Sequence, residues 1–217
     1  MRFIRVFLAS PGDVSAERAI ALKIIDKLNY DPLLKDQTRL EPVAWDHLGT
    51  RTPMVANKTP QQAIIDGMTR PSECDIVLTL FWSRMGTPLD VETHETKPNG
   101  EPYLSGTEWE YLDALNAAEA SADGRPQVVV YRRTEKVLLD ADATDFQEKF
   151  QQYSLVKAFF ASFRTPAGAF KRGFNKYATP DQFETDFEHD LRYLVNELLK
   201  RPAQPKTVAP RTLPLWK

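Results

Sequence analysis

The chain has 217 residues and a formal charge of −2, with 42% hydrophobic and 27% charged residues. That size gives one domain with a well-buried core, and the composition is that of an ordinary globular protein. It excludes a disulfide scaffold, a collagen-like repeat and an acidic or basic low-complexity chain.

The charge is unevenly spread. Arg201, Lys206, Arg211 and Lys217 lie in a terminal stretch without any acid, and setting these 4 aside leaves 24 basic against 30 acidic residues, a body of about −6. A body of that sign is a poor generic partner for phosphate backbones, so no nucleic acid is expected. The lone Cys74 has no internal disulfide partner, which fits a reducing, cytoplasmic setting. No run reaches the roughly 18 apolar residues of a spanning helix, and no membrane is expected.

Phe3 to Ala9 is apolar, rich in β-formers and stopped by Ser10-Pro11-Gly12-Asp13, which predicts a buried first strand and a tight turn. Ile20, Ile24 and Leu28 recur every four residues, predicting a helix from Val14 to Leu28 capped by Ser10 or Asp13. Leu40 to Trp45 predicts the second strand, with Asp46 just beyond it. Thr59-Pro60-Gln61-Gln62 has capping-box spacing and opens a helix predicted to run to Met68. Asp75 to Phe81 is nearly continuous in apolar residues, as a central parallel strand is, and leads into Trp82-Ser83-Arg84-Met85-Gly86-Thr87. A long polar loop with Pro88, Pro98 and Pro102 follows; loops of that length are often functional.

Ser105 to Leu115 then carries a small-residue turn into a helix predicted from Thr107 to Ala120, with Glu108 and Glu110 in its first turns. Gln127 to Tyr131 predicts a strand. Phe146, Phe150, Tyr153, Val156, Phe160 and Phe163 predict an aromatic helix of core or subunit-interface type, and a short edge strand is predicted near Phe174 to Tyr177. Thr179-Pro180-Asp181-Gln182 caps a last amphipathic helix through Phe183, Phe187, Leu191, Leu194 and Leu198. Residues 1–200 thus form one domain, and the Pro-rich, basic 201–217 a linker or tail. Alternating strands and helices imply an α/β fold, a mainly parallel sheet with helices on both faces.

Several chemistries lack their residues. The single Gly12 in the first turn makes no dinucleotide loop, and Phe174 and Asn175 stand where a Walker A loop after Gly168 and Gly173 would need Lys and Ser or Thr. His47, His94, His189 and Cys74 have no metal-ligand spacing, and no nucleophile elbow supports a Ser-His-Asp triad. The acids at the start of the Thr107 helix remain. Acids favour a helix N-terminus on electrostatic grounds alone, and helical periodicity puts Glu108 on the richer apolar face and Glu110 beside Ala114 and Ala117. Periodicity leaves the choice between them open.

The order Phe-Leu-Ala-Ser-Pro-Gly-Asp-Val with Glu17-Arg18 soon after, the strand ending Phe81-Trp82-Ser83-Arg84-Met85-Gly86-Thr87, and Thr107-Glu108-Trp109-Glu110-Tyr111 followed by Ala114 resembles one family over residues 1–200. It looks like the TIR-like domain of unknown function at the N-terminus of bacterial STAND signalling NTPases, akin to TIR NAD hydrolases and nucleoside deoxyribosyltransferases. The resemblance implies a flavodoxin-like fold and an effector domain that cleaves the N-glycosidic bond of NAD, or a related nucleotide, on self-association. NAD would be substrate, with no cofactor. It further implies a C-terminal STAND NTPase or sensor module in a longer protein, and a trigger such as phage infection. Glu110-Tyr111-Leu112-Asp113-Ala114-Leu115 is similar to the TIR catalytic pattern, with Tyr111 in place of an aliphatic residue, and Gly106-Thr107-Glu108-Trp109-Glu110 matches the deoxyribosyltransferase spacing. Both comparisons point to Glu110 as catalytic, with Glu108 the alternative. Ser10, Asp13, Trp45, Asp46, Trp82, Ser83 and Arg84, at the ends of the first three strands, are the expected substrate-binding residues. A non-enzymatic interaction module and a base-exchange transferase are the rival expectations.

Overall fold

The computed structural model describes residues 1–45, 56, 67–89 and 96–201. The helix expected at Thr59–Met68, apart from its last two residues, lies outside them, as do Asp46, His47, His94 and residues 202–217.

Five strands, β1 (Arg2–Ala9), β2 (Thr38–Val43), β3 (Ile76–Phe81), β4 (Gln127–Arg133) and β5 (Asn175–Tyr177), form one sheet in the order β2-β1-β3-β4-β5. Every pairing is parallel, with Val6 opposite Ile76 and Ile76 opposite Gln127. The parallel sheet is the one expected from the alternating pattern, and its order is the flavodoxin-like one that the resemblance implies. The four described α-helices are α1 (Ser15–Asn29), α2 (Gly106–Ala120), α3 (Phe146–Ala161) and α4 (Pro180–Lys200).

Burial explains the strand sequences. All six residues of β3 are buried, because helices cover both faces of the sheet centre. Along β1, Ile4, Val6 and Leu8 join α1 and α4 through Ile24, Ile25, Phe183 and Leu191, whereas Phe7 and Ala9 face the opposite layer with Val77 and Ala114. The α3 aromatics divide likewise. Phe159, Phe160 and Phe163 pack on Phe81 and Tyr111, while Phe150 is exposed and stacks on Phe146.

Edge strand β2 tolerates Pro42, since an edge needs only one ladder. It is pinned by Asn29 at the end of α1, whose side chain donates to Leu40 O at 3.0 Å and accepts from Leu40 N at 2.7 Å. Among the described residues no helix is long and apolar enough to cross a membrane.

Candidate active site

In a sheet of this order β1 and β3 are neighbours whose connections leave in opposite directions, opening a crevice beyond their carboxyl ends. The chain delivers α2 to that crevice through the turn after β3. Gly86 has φ +114°, and a Cβ there would come within 3.1 Å of Thr107 Oγ1, so only glycine fits. Gln152 of α3, buried, accepts from Met85 N at 2.9 Å and Gly86 N at 3.2 Å and donates to Gly86 O at 3.3 Å. Ser105 completes the join: its Oγ donates to Met85 O at 2.7 Å and accepts from Glu108 N at 3.1 Å, capping α2.

The two acids of α2 are both buried, Glu108 at 6% and Glu110 at 9% exposure, but their surroundings differ. The Glu108 carboxylate accepts from Leu104 N at 2.6 Å and pairs with Lys97 at 2.9 Å, both on the preceding loop. It fastens loop to helix. Glu110 has no hydrogen-bond or ion-pair partner among the described residues. Burial pushes its carboxyl up to about 8; the Arg18 guanidinium opposes the shift and Asp113 adds to it. Glu110 borders a cleft of about 10 Å³, lined also by Phe7, Met68, Arg70, Pro71 and Trp109. That space holds about one water.

Arg18, buried in the first turns of α1, donates to Leu8 O at 3.1 Å and Ser10 Oγ at 3.0 Å, and its guanidinium lies 5.6 Å from the exposed Trp45 ring. Thus Ser10 and Trp45 meet around Arg18, at the carboxyl end of β1.

The other expected binding residues are engaged with one another. Asp13 Oδ2 accepts from Ser83 N and Ser83 Oγ, each at 2.8 Å, and from Arg84 N at 3.0 Å. Asp13 therefore latches the turn after β1 to the turn after β3. It does not cap α1, whose N-cap is Val14 with no side-chain bond. Arg84 reaches Glu148 at 3.4 Å. Trp82 turns towards β4, where its Nε1 donates to Glu135 O at 3.1 Å and its ring lies 4.2 Å from the Arg133 guanidinium.

Sequence reasoning missed a second polar cluster below that tryptophan. Glu17, fully buried, accepts from Arg133 Nη1 at 3.0 Å and from the Tyr177 hydroxyl at 3.1 Å. The buried Glu17 Oε2, Arg133 Nε and Asp13 Oδ1 are without partners among the described residues. Burial first, then the Glu17 charge, pushes the Tyr177 phenol upward. Arg133 at the carboxyl end of β4 was the available signal, since a cation there needs a carboxylate; Gln152 and Lys97 left no periodic trace.

Chemically, the crevice offers Glu110, with neither carboxyl oxygen hydrogen-bonded among the described residues and the Arg18 cation acting on it, whereas Asp13 and Glu17 each have one oxygen engaged and one without a partner. Among the described residues no three His, Cys, Asp or Glu side chains are grouped to hold a metal. Tyr111, which follows Glu110, packs in the aromatic layer 5.1 Å from Phe159 and 5.9 Å from Phe163, and burial pushes its phenol up to about 12. In comparison with known proteins, no family model and no curated protein matches the chain.

Proposed function

We propose that the chain is a cytoplasmic TIR-like effector domain that cleaves the N-glycosidic bond of NAD or a related nucleotide, with Glu110 as its catalytic carboxylate. One observation carries the reading: a buried acid without a hydrogen-bond partner among the described residues, in the first turns of the helix that follows β3 and acted on by Arg18 at the carboxyl end of β1, the edge where an open α/β sheet binds ligands. Nicotinamide leaves a positively charged ring as a neutral base, so a general acid is not required. One carboxylate is enough to stabilise the oxocarbenium ion that develops at the ribose, and water then adds to that carbon with loss of a proton.

The raised pKa fits this chemistry. A neutral Glu110 costs little to bury while the site is empty, and an arriving pyridinium cation lowers its pKa and draws off the proton. Arg18 works in the same direction. Glu108, tied to Lys97 and Leu104, has no freedom to approach a ribose. In the proposed activity it positions α2.

The experiment is nicotinamide release from NAD by the wild type, Glu110→Ala and Glu108→Ala, in free and artificially clustered forms. Release by the wild type and none by Glu110→Ala supports the assignment; no release in either form of the wild type ends it. A second reading, a non-enzymatic interaction module of a STAND receptor, is favoured by the narrowness of the cleft, because a ribose enters about 10 Å³ only if the Met68–Pro71 segment withdraws from α2. Titrating NAD into Glu110→Gln separates the two: binding without turnover supports the enzyme, and absence of binding to either form supports the module.

A further inference from the structure

Two cations stand side by side at the carboxyl ends of the last two strands. Arg132 of β4 and Lys176 of β5 are register partners on neighbouring parallel strands, which run about 4.8 Å apart. Both lie on the α3 face of the sheet: the Arg132 guanidinium is 4.7 Å from the Phe160 ring, the Lys176 ammonium 5.6 Å from the Phe174 ring, and those two rings are 4.7 Å apart. Like charges directly opposite each other across a strand pair are destabilising. Each cation gains from the ring beneath it, but that gain does not relieve their mutual repulsion.

No carboxylate neutralises the pair among the described residues. Neither Arg132 nor Lys176 makes a side-chain hydrogen bond or an ion pair there. Glu135, two residues after β4, and Glu17 both pair with Arg133, the next residue of the strand, whose side chain is on the opposite face. Asp145 pairs with Lys149 and Glu148 with Arg84. The segment that supplies Phe174 and Lys176 brings no acid of its own, since Lys149 to Pro180 has six cations and no carboxylate.

We propose that Arg132 and Lys176 form a binding site for a phosphate or diphosphate group. The guanidinium offers N–H donors in a planar fork that matches two oxygens of one phosphate, and the ammonium adds a compact second charge. Two positive charges suit a multiply charged anion better than a single carboxylate. The half-buried Phe174 and the buried Phe160 keep water from one side of the pair, which strengthens its attraction for an anion. The site needs no basic body, because the charge that recognises the ligand is local. It lies at the β4–β5 end of the sheet, whereas Glu110 is acted on by Arg18 at the carboxyl end of β1, so it does not depend on the chemistry proposed for Glu110.

Isothermal titration with pyrophosphate in 50 mM NaCl tests it. The wild type and Glu110→Gln are expected to bind saturably, one anion per chain, and Arg132→Gln and Lys176→Gln at least about tenfold more weakly. Arg172→Gln removes a cation of the same segment that is already paired with Glu119 at 3.0 Å, and should stay within about twofold of the wild type. Lys176→Glu gives Arg132 the carboxylate it lacks: it should abolish binding and raise the Tm of the free protein by about 1–4 °C, which separates loss of the site from loss of the fold. Titrations with inorganic phosphate and a nucleoside diphosphate assign the source. Equal affinity for pyrophosphate and the nucleotide supports a free anion, tighter binding of the nucleotide supports a nucleotide's diphosphate, and either supports the site. No saturable binding to the wild type, or equal weakening by Arg172→Gln and Arg132→Gln, overturns the inference. So does loss of binding in Glu110→Gln with Arg132→Gln unaffected, which would place the anion beside Arg18.

Discussion

Replacing Glu110 with Gln gives the sharpest test of the site's electrostatics. The amide matches the neutral carboxyl in shape and never ionises. In the folded protein the Glu110 carboxyl is pushed from its ordinary 4.5 to about 8, chiefly by burial. A carboxyl raised in this way contributes most to stability below its unfolded value and loses that contribution as pH rises through its folded value. At about 1.4 kcal/mol per pH unit, the interval between 4.5 and about 8 is worth about 5 kcal/mol at most, and about 3–5 kcal/mol after some water penetration. Wild type and Glu110→Gln should therefore differ by only about 1 kcal/mol at pH 5, just above the unfolded value. At pH 8.5 the variant should be the more stable by about 3–5 kcal/mol, roughly 6–20 °C in Tm for a domain of this size. Urea unfolding of both proteins at the two pH values reads this difference directly. An equal difference between the proteins at both pH values would refute the claim that Glu110 ionises at the cost of its burial.

Other perturbations should act in different directions. Glu108→Ala removes the buried partner of Lys97 and the acceptor of Leu104 N, so it should destabilise the protein by about 2–4 kcal/mol in the same unfolding assay. Its sign is opposite to that of Glu110→Gln at pH 8.5. Gly86→Ala forces a Cβ towards Thr107 at φ +114° and should cost about 1–3 kcal/mol, read as a lowered Tm. Asp13→Ala frees the Ser83 and Arg84 amides, which should exchange hydrogen at least tenfold faster than in the wild type, while amides in the centre of β3 do not change. If Glu110 must ionise to meet a cationic ring, NAD binding to the wild type should tighten with rising pH and level off above about 8, and isothermal titration in buffers of different ionisation enthalpy should show proton release.

What the sequence reveals depends on whether the deciding interactions are periodic. β3 is legible because a strand buried on both faces is apolar at nearly every position, and α4 because its apolar stripe recurs from Phe183 to Leu198, over more than four turns. Even β5, three residues long, is foreshadowed by Phe174 to Tyr177. The choice between Glu108 and Glu110 is not legible in the same way. Both are buried, because the first turn of α2 is covered by the loop that carries Lys97 and Leu104 as well as by the sheet. Asp13 shows the same limit. Its position before α1 reads as a cap, yet its donors are at Ser83 and Arg84, about seventy residues away. Contacts between loops brought together by topology have no period, so residue type alone hints at them.

The Asp13 latch also narrows where chemistry can occur. It occupies Asp13, the Ser83 hydroxyl and the amides after β3, and with Trp82 stacked on Arg133 it closes the β3–β4 side of the carboxyl edge. The β1 side is differently built: Ser10 and Trp45 gather on Arg18, and Arg18 acts electrostatically on Glu110. A ligand that draws the proton from Glu110 also gains the Arg18 cation as a counter-charge beside the carboxylate. Arg18→Met should then raise the Glu110 pKa further and shift the pH at which NAD binding levels off upwards, leaving the Asp13 latch intact. If Arg18→Met left that pH where it is in the wild type, the coupling across the β1 edge would be refuted even with Glu110 itself essential.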